Sequence, residues 1–445
     1  MKKSIVVLMV FTLLTLAACG GNGDTNGSTQ EAASRLIPGF GSSSGSGNAV
    51  PMIAVGSTHT VALASDGTVW TWGSNGADQL GIGESNQGLP HLGNRYTPAR
   101  VQGFPYNAVS IAAAGSSTLV LREDGTVWGW GENMGLLGDG TTSRRYTPVQ
   151  ARGLEDITAI AATHSSHAHG HVMAIRSDGT LWAWGTNWSG QLGMGTRSHS
   201  HNEPIQVQGI DGVTAIALGS DHSVALRSDG TVWAWGSNGA GQLGYGPIIT
   251  ENPRREGHYL EERVDWHYTP VQVQGLYNVT AIAAGGAQTF AVKDDGTVWA
   301  WGANREGQLG CAEIPREHFN YEPTRVQGLY DIVDIVTVGR HTIALRGDGT
   351  VWAWGQNQQA QLGDGTTMKR YTPVQVPELD NIVAIATGNA NSMALRGDGT
   401  VWTWGQNHHG QLGNGDDSRT RRYSPIQVLG EDGRGYLNLG VAPAS

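Results

Sequence analysis

Four imidazoles fall within eight residues in His164-Ser165-Ser166-His167-Ala168-His169-Gly170-His171. Neutral ring nitrogens at that density can hold Zn²⁺, Ni²⁺ or Cu²⁺. His171 aligns with His59, His222 and His341 elsewhere in the chain, so it belongs to a recurring pattern and is expected to bond backbone. That leaves His164, His167 and His169 as candidate metal ligands, against the competing reading of a solvated polar loop. A second group places Glu251, Glu261, Glu262 and Asp265 near Trp266, and carboxylates beside an aromatic are what a glycan-binding or glycan-cleaving cleft requires. The same stretch, with Arg254, Arg255, Tyr259 and Trp266, has the aromatic and arginine mixture of a protein-docking hot spot. Trp188 joins it as a third candidate. No Gly-x-Ser-x-Gly elbow, His-Glu-x-x-His helix, P-loop or dinucleotide fingerprint is present, and nothing marks Cys311 as a nucleophile. No catalytic residue and no cofactor are expected.

These groups are carried on a repeated frame. Asp-Gly followed closely by Trp-x-Trp-Gly recurs at Asp66, Asp124, Asp178, Asp229, Asp295, Asp348 and Asp398. Of the 16 tryptophans, all but Trp188 and Trp266 belong to these pairs. Repetition also accounts for 66 glycines in 445 residues, which show no collagen period. With 28 Lys and Arg against 38 Asp and Glu, the net charge of −10 offers no basic face for nucleic acid.

In the fourth copy, Val213 to Leu218 is a short apolar run, and His222 to Arg227 alternates with period two. Both read as strands. Asp229-Gly230 is expected to form a two-residue hairpin turn with positive φ, after which Thr231 to Trp235 runs back with both indoles on one face. Tyr268-Thr269-Pro270 then leads into a fourth strand, its proline placed at the entry. Four antiparallel strands make one blade, and a blade alone cannot cover its apolar faces, so seven should close a ring. The fold class is all-β, a seven-bladed β-propeller of four-stranded antiparallel blades. The paired tryptophans are its expected interblade core.

The units V-x-x-I-A-x-G, H-T-x-A-L-R-x-D-G-T-V-W-x-W-G-x-N-x-x-G-Q-L-G and Y-T-P-V-Q-V resemble the regulator of chromosome condensation repeat family from Val50 to about Gly430. The resemblance implies the ring and leaves the activity open. The family's founder exchanges nucleotide on a small GTPase and binds chromatin, a poor fit to a chain with a net charge of −10. A photoreceptor of the same fold uses Gly-Trp-Arg-His-Thr, where this chain reads Val338-Gly339-Arg340-His341-Thr342 without the tryptophan. A secreted bacterial member that covers β-lactamase active sites with one ring face is closer in setting.

Residues 1–18 carry Lys2 and Lys3, an apolar run and small residues, as an export signal does. Leu16-Ala17-Ala18-Cys19 resembles a bacterial lipobox, which implies lipidation at Cys19. Residues 19–48 read as the lipidated cysteine and a Gly/Ser-rich tether, and residues 49–445 as the propeller. Gly20 after the cysteine implies the outer membrane in a Gram-negative host. Within each blade, the loops joining strands one to two and three to four emerge at one end, and the Asp-Gly turns at the other. The longest loops lie at the first end while the turns are nearly uniform. Variable loops on a rigid frame are where binding usually sits. The expected protein is therefore a monomeric envelope binding ring, tied to the membrane only by its lipid, whose loop face docks a protein partner.

Overall fold

The computed structural model describes residues 49–83, 93–104, 107–163, 170–246, 248–251, 259–262, 266–312 and 319–440. At each of the seven Asp-Gly turns that precede a tryptophan pair, the Asp Oδ1 accepts hydrogen bonds from the amide and the hydroxyl of the Thr two residues on, as in Asp229 to Thr231 at 3.0 and 2.6 Å. The turn differs from the two-residue form that the sequence suggests. Arg227 N reaches Thr231 O and Gly230 N reaches Arg227 O, which encloses three residues, and within them only Gly230 has positive φ, at 75°. This is a type I turn followed by a left-handed glycine. It lets the aspartate keep a negative φ while its carboxylate binds the threonine.

Each copy becomes a four-stranded antiparallel sheet with its strands in sequence order, seven in all among the described residues. The fourth copy consists of Val213–Leu218, His222–Arg227, Val232–Ser237 and Trp266–Gln272. Pro270 lies inside the last strand, not at its entry. The register jumps between the pairs Ala234↔Val271 and Gly236↔His267, so the proline sits in a bulge where no ladder donor is needed.

Core side chains collect between blades. The second tryptophan of every pair is fully buried, and Trp235 of blade four packs on Met173, Ile175, Leu181 and Leu192 of blade three. Its indole nitrogen donates to Gln191 O at 2.9 Å, and the same carbonyl accepts Ser223 Oγ at 2.8 Å. Burying a tryptophan with its one donor satisfied gains apolar contact without an orphaned polar group.

The last and first blades close the ring without sharing a strand. Blade one is Met52–Val55, His59–Leu63, Val69–Gly73 and Arg95–Arg100, and blade seven is Ile382–Thr387, Asn391–Arg396, Val401–Gly405 and Arg422–Gln427. Trp72 Nε1 and Thr60 Oγ1 both donate to Gln411 O, repeating the junction used between blades three and four. The tail adds a wedge instead of a full strand. Leu437 and Leu439 are buried beside Ala64, Trp72 and Leu395, while Leu439 bonds Ser65 on one blade and Gly399 on the other.

Candidate functional site

Above the junction of blades three and four, the loop after Leu181–Thr186 is shaped by Asn187. Its side-chain amide donates to Thr196 O at 2.9 Å, and its Oδ1 accepts Leu192 N at 3.0 Å. Gly195 N also bonds Tyr268 O on blade four at 2.9 Å. At Gly190, with φ 77°, a Cβ would run into the Tyr268 ring, so this loop lies tight against its neighbour. The next residue after the anchoring asparagine is Trp188, which is 50% exposed.

Trp188 meets the exposed His199 edge to face, with ring centroids 4.3 Å apart. Two residues before His199, the exposed Arg197 places its guanidinium 5.8 Å from the ring centre of Trp266, which opens strand four of blade four and is 44% exposed. The two tryptophans outside the repeat pairs are thus joined across one blade junction by an arginine and a histidine. Indole faces and a guanidinium at a water-exposed rim suit protein recognition, since they bury area with few rotatable bonds. The sequence singles out the tryptophans and not Arg197, and it marks His199 only as part of a histidine-rich copy, not as a partner of Trp188. The usable clue is that both lie in the loop that carries Trp188.

The remaining candidates divide. Arg254 and Arg255 lie outside the described residues, as do Asp265, His164, His167 and His169. Tyr259, Glu261 and Glu262 fall on a strand paired with Ile248–Glu251, so the longest insertion contains a hairpin where the sequence suggests only a loop. Among the described residues no group of His, Cys, Asp or Glu is arranged to hold a metal ion. Cys311 is buried, with its thiol directed to Leu309 O and Arg325 O.

The repeat histidine has a different partner from the backbone bond expected of it. His171 Nε2 lies 2.8 Å from Ser223 Oγ on the next blade, and Nδ1 lies 3.1 Å from Thr163 Oγ1. His59, His222 and His341 likewise meet Thr118, Thr289 and Ser392 of the following blade. A ring nitrogen reaches across because the serine or threonine hydroxyl donates its own proton to a loop carbonyl and offers its lone pairs to the histidine. Burial holds His171, His222 and His341 far below the ordinary imidazole range, at about 3, so all three are neutral in the fold near pH 7. They tie blades together and do no acid-base work at that pH.

The turn end is less plain than the sequence suggests. Tyr277 and Tyr330, in the links from blade four to five and five to six, are each 59% exposed. Their clue is the recurring Gln-Gly-Leu-Tyr at 274–277 and 327–330. Arg346 covers the Tyr330 ring at 3.9 Å.

Comparison with known proteins matches residues 162–440 to the RCC1-like domain, and residues 53–79 and 124–175 to the regulator of chromosome condensation (RCC1) repeat. The ultraviolet-B receptor UVR8 of Arabidopsis thaliana is 30% identical over 329 residues, which are 72% of this chain and 68% of the receptor. Protein pim1 of Schizosaccharomyces pombe is 28% identical over 70% of this chain, which spans only 60% of its length. Among solved structures, Prp20p from Saccharomyces cerevisiae aligns with a TM-score of 0.67 at 23% identity, over 83% of this chain and 87% of that one. Human WBSCR16 gives the same TM-score and identity, with 81% and 94% covered.

Proposed function

We propose, for a chain that belongs to the regulator of chromosome condensation repeat family, that it is a non-enzymatic binding ring whose loop end docks a protein partner. The observation that carries this reading is the exposed cluster of Trp188, His199, Arg197 and Trp266 across one blade junction. Relatives lend support: Prp20p has binding properties toward Gsp1p and histones, and UVR8 is an ultraviolet-B receptor. Tyr259, Arg254 and Arg255, from the insertion that ends at Trp266, would extend the same surface. The lipobox-like Leu16-Ala17-Ala18-Cys19 supports a place at the bacterial cell envelope, with Cys19 as the lipidated anchor and a monomeric ring on a tether. Gly20 supports the outer membrane where there is one.

The test is crosslinking of the full chain in its native envelope, followed by affinity measurement with the partner recovered. Trp188→Ala and Trp266→Ala should each cost about 2 kcal/mol of affinity or more, at unchanged melting temperature. Arg122→Ala and Lys293→Ala, at the turn end, should leave binding intact. The reverse pattern would move the docking surface to the turns. Cys19→Ser should release the protein from membranes, and continued membrane fractionation would overturn the tether.

A further inference from the structure

The first strands of all seven blades surround an open axial channel of about 210 Å³. Its wall is alanine, isoleucine and valine with a few threonines, among them Ile53, Ala161, Ala217, Ala283 and Val336. Asp334 is the single ionisable residue in that wall among the described residues. The repeat does not ask for it. When the copies are aligned on the strand isoleucine, Ala159, Ala215, Ala281 and Ala384 hold the same position, with Met52 and Ser110 in the other two. A carboxylate placed in an apolar wall costs desolvation, which a single neighbouring amide offsets only in part. Asp334 Oδ1 accepts the amide of its own neighbour, Ile335, at 2.8 Å, and no cation is paired with it among the described residues.

We propose that the channel is a binding site for a small organic monocation, an alkyl- or cycloalkylammonium whose charge pairs with Asp334 and whose hydrocarbon packs on the alanine and isoleucine wall. The volume is below that of sites for drug-sized ligands, which limits the guest to a compact amine. Asp334 lies near the start of Ile332–Val338, so the charge is toward the turn end of the channel, and the amine enters from the loop end head first or from the turn end tail first. An apolar wall with one oriented charge binds such a guest by area and by a charge-assisted hydrogen bond.

Ionisation of Asp334 sets the pH dependence, because burial pushes its carboxyl up to about 7. Among the described residues, no cation on the elements packed around it pairs with it. Leu345 stands opposite on its own blade, and His341 on that strand is neutral and bonded to Ser392. Arg346 is paired with Asp348 at the turn, and Lys293 and Arg396 end the second strands of blades five and seven at their turns. Cation binding therefore weakens as pH falls below 7 and the carboxylate gains its proton.

Isothermal titration of the full chain with cyclopentylammonium, against cyclopentanol as the uncharged match, tests this. Saturable one-to-one binding is expected at about pH 8, weaker by about tenfold or more at about pH 5.5, while the amine stays protonated throughout. Asp334→Asn and Asp334→Ala should each weaken it by about tenfold or more at the higher pH. Alanine is native to this position in other blades, so the second variant should keep its fold, which a cooperative melt verifies. Trp188→Ala should leave amine binding unchanged, which separates this site from the loop surface. Absence of saturable binding, equal binding of cyclopentanol, or full retention in Asp334→Ala would overturn the proposal.

Discussion

Trp235 and Trp188 stand at one junction and answer to different demands. Trp235 has no surface in water, its indole nitrogen bonds Gln191 O, and it packs against blade three. Trp188, in the loop above the same junction, is half exposed and meets only a histidine ring among its described aromatic contacts. The buried tryptophan recurs in all seven copies, whereas the exposed position is Gly76, Met134, Gly239, Arg305, Gln358 and His408 in the others. A large aromatic that the fold needs is copied with the fold. One that the fold does not need is free to serve a partner.

Cutting the buried side should have the largest effect. Trp235→Ala would empty a fully enclosed site and remove a donor from Gln191 O, so denaturant unfolding should show a loss of roughly 3–5 kcal/mol. A loss below about 1 kcal/mol would break the contrast between the two tryptophans. The closing junction extends the comparison, because there the tail supplies what other junctions take from blades alone. Leu439→Ala should cost roughly 2–4 kcal/mol by the same measurement, since its side chain is enclosed between blades one and seven.

A smaller change is expected where a hydrogen bond, not volume, is altered. His171→Gln copies the residue found at Gln288, whose amide reaches Thr337 and Gly339 on the next blade, and should cost about 1 kcal/mol near pH 7. Its pH behaviour is more telling. The folded imidazole is held to about 3 by burial and the unfolded one titrates near 6.5, so the unfolded chain binds the extra proton between these values. Stability is thus lost as pH falls below about 6.5, by up to about 1.4 kcal/mol per pH unit for each such histidine. The glutamine variant should show a slope shallower by one proton, and an unchanged slope would mean that His171 is charged in the fold. The smallest effect belongs to the exposed side: Trp188→Ala and Trp266→Ala should shift stability by no more than about 0.5 kcal/mol.

Much of the ring is legible because its instructions are short-range and copied. Asp229, Gly230, Thr231 and the two tryptophans that follow specify a hairpin within a few residues, and seven such hairpins with matched apolar faces have one way to bury them all. The turn length is not legible, because Asp-Gly suits both turn forms, and the threonine bond that selects the three-residue form depends on where the side chains point. Half of the candidate site is legible through Trp188 and Trp266, which depart from the repeat. Arg197 and His199 are not, since an arginine and a histidine in a polar loop carry no mark of what they face. Asp334 reads as an ordinary strand residue until its place among alanines is set against a channel wall.

By itself the sequence determined the blade: strand order, turn positions, and which tryptophan face is apolar, all set by hydrogen bonds and side-chain alternation within one copy. The tertiary structure decided what distant copies do to one another. Thr60 and Gln411 meet across 351 residues, Leu439 joins the turns of the first and last blades, and Arg197 comes to lie over Trp266. It also turned seven first strands into a channel with one carboxylate in its wall. Those contacts depend on how the wedge angle of each blade accumulates around the ring, and no single copy contains that quantity.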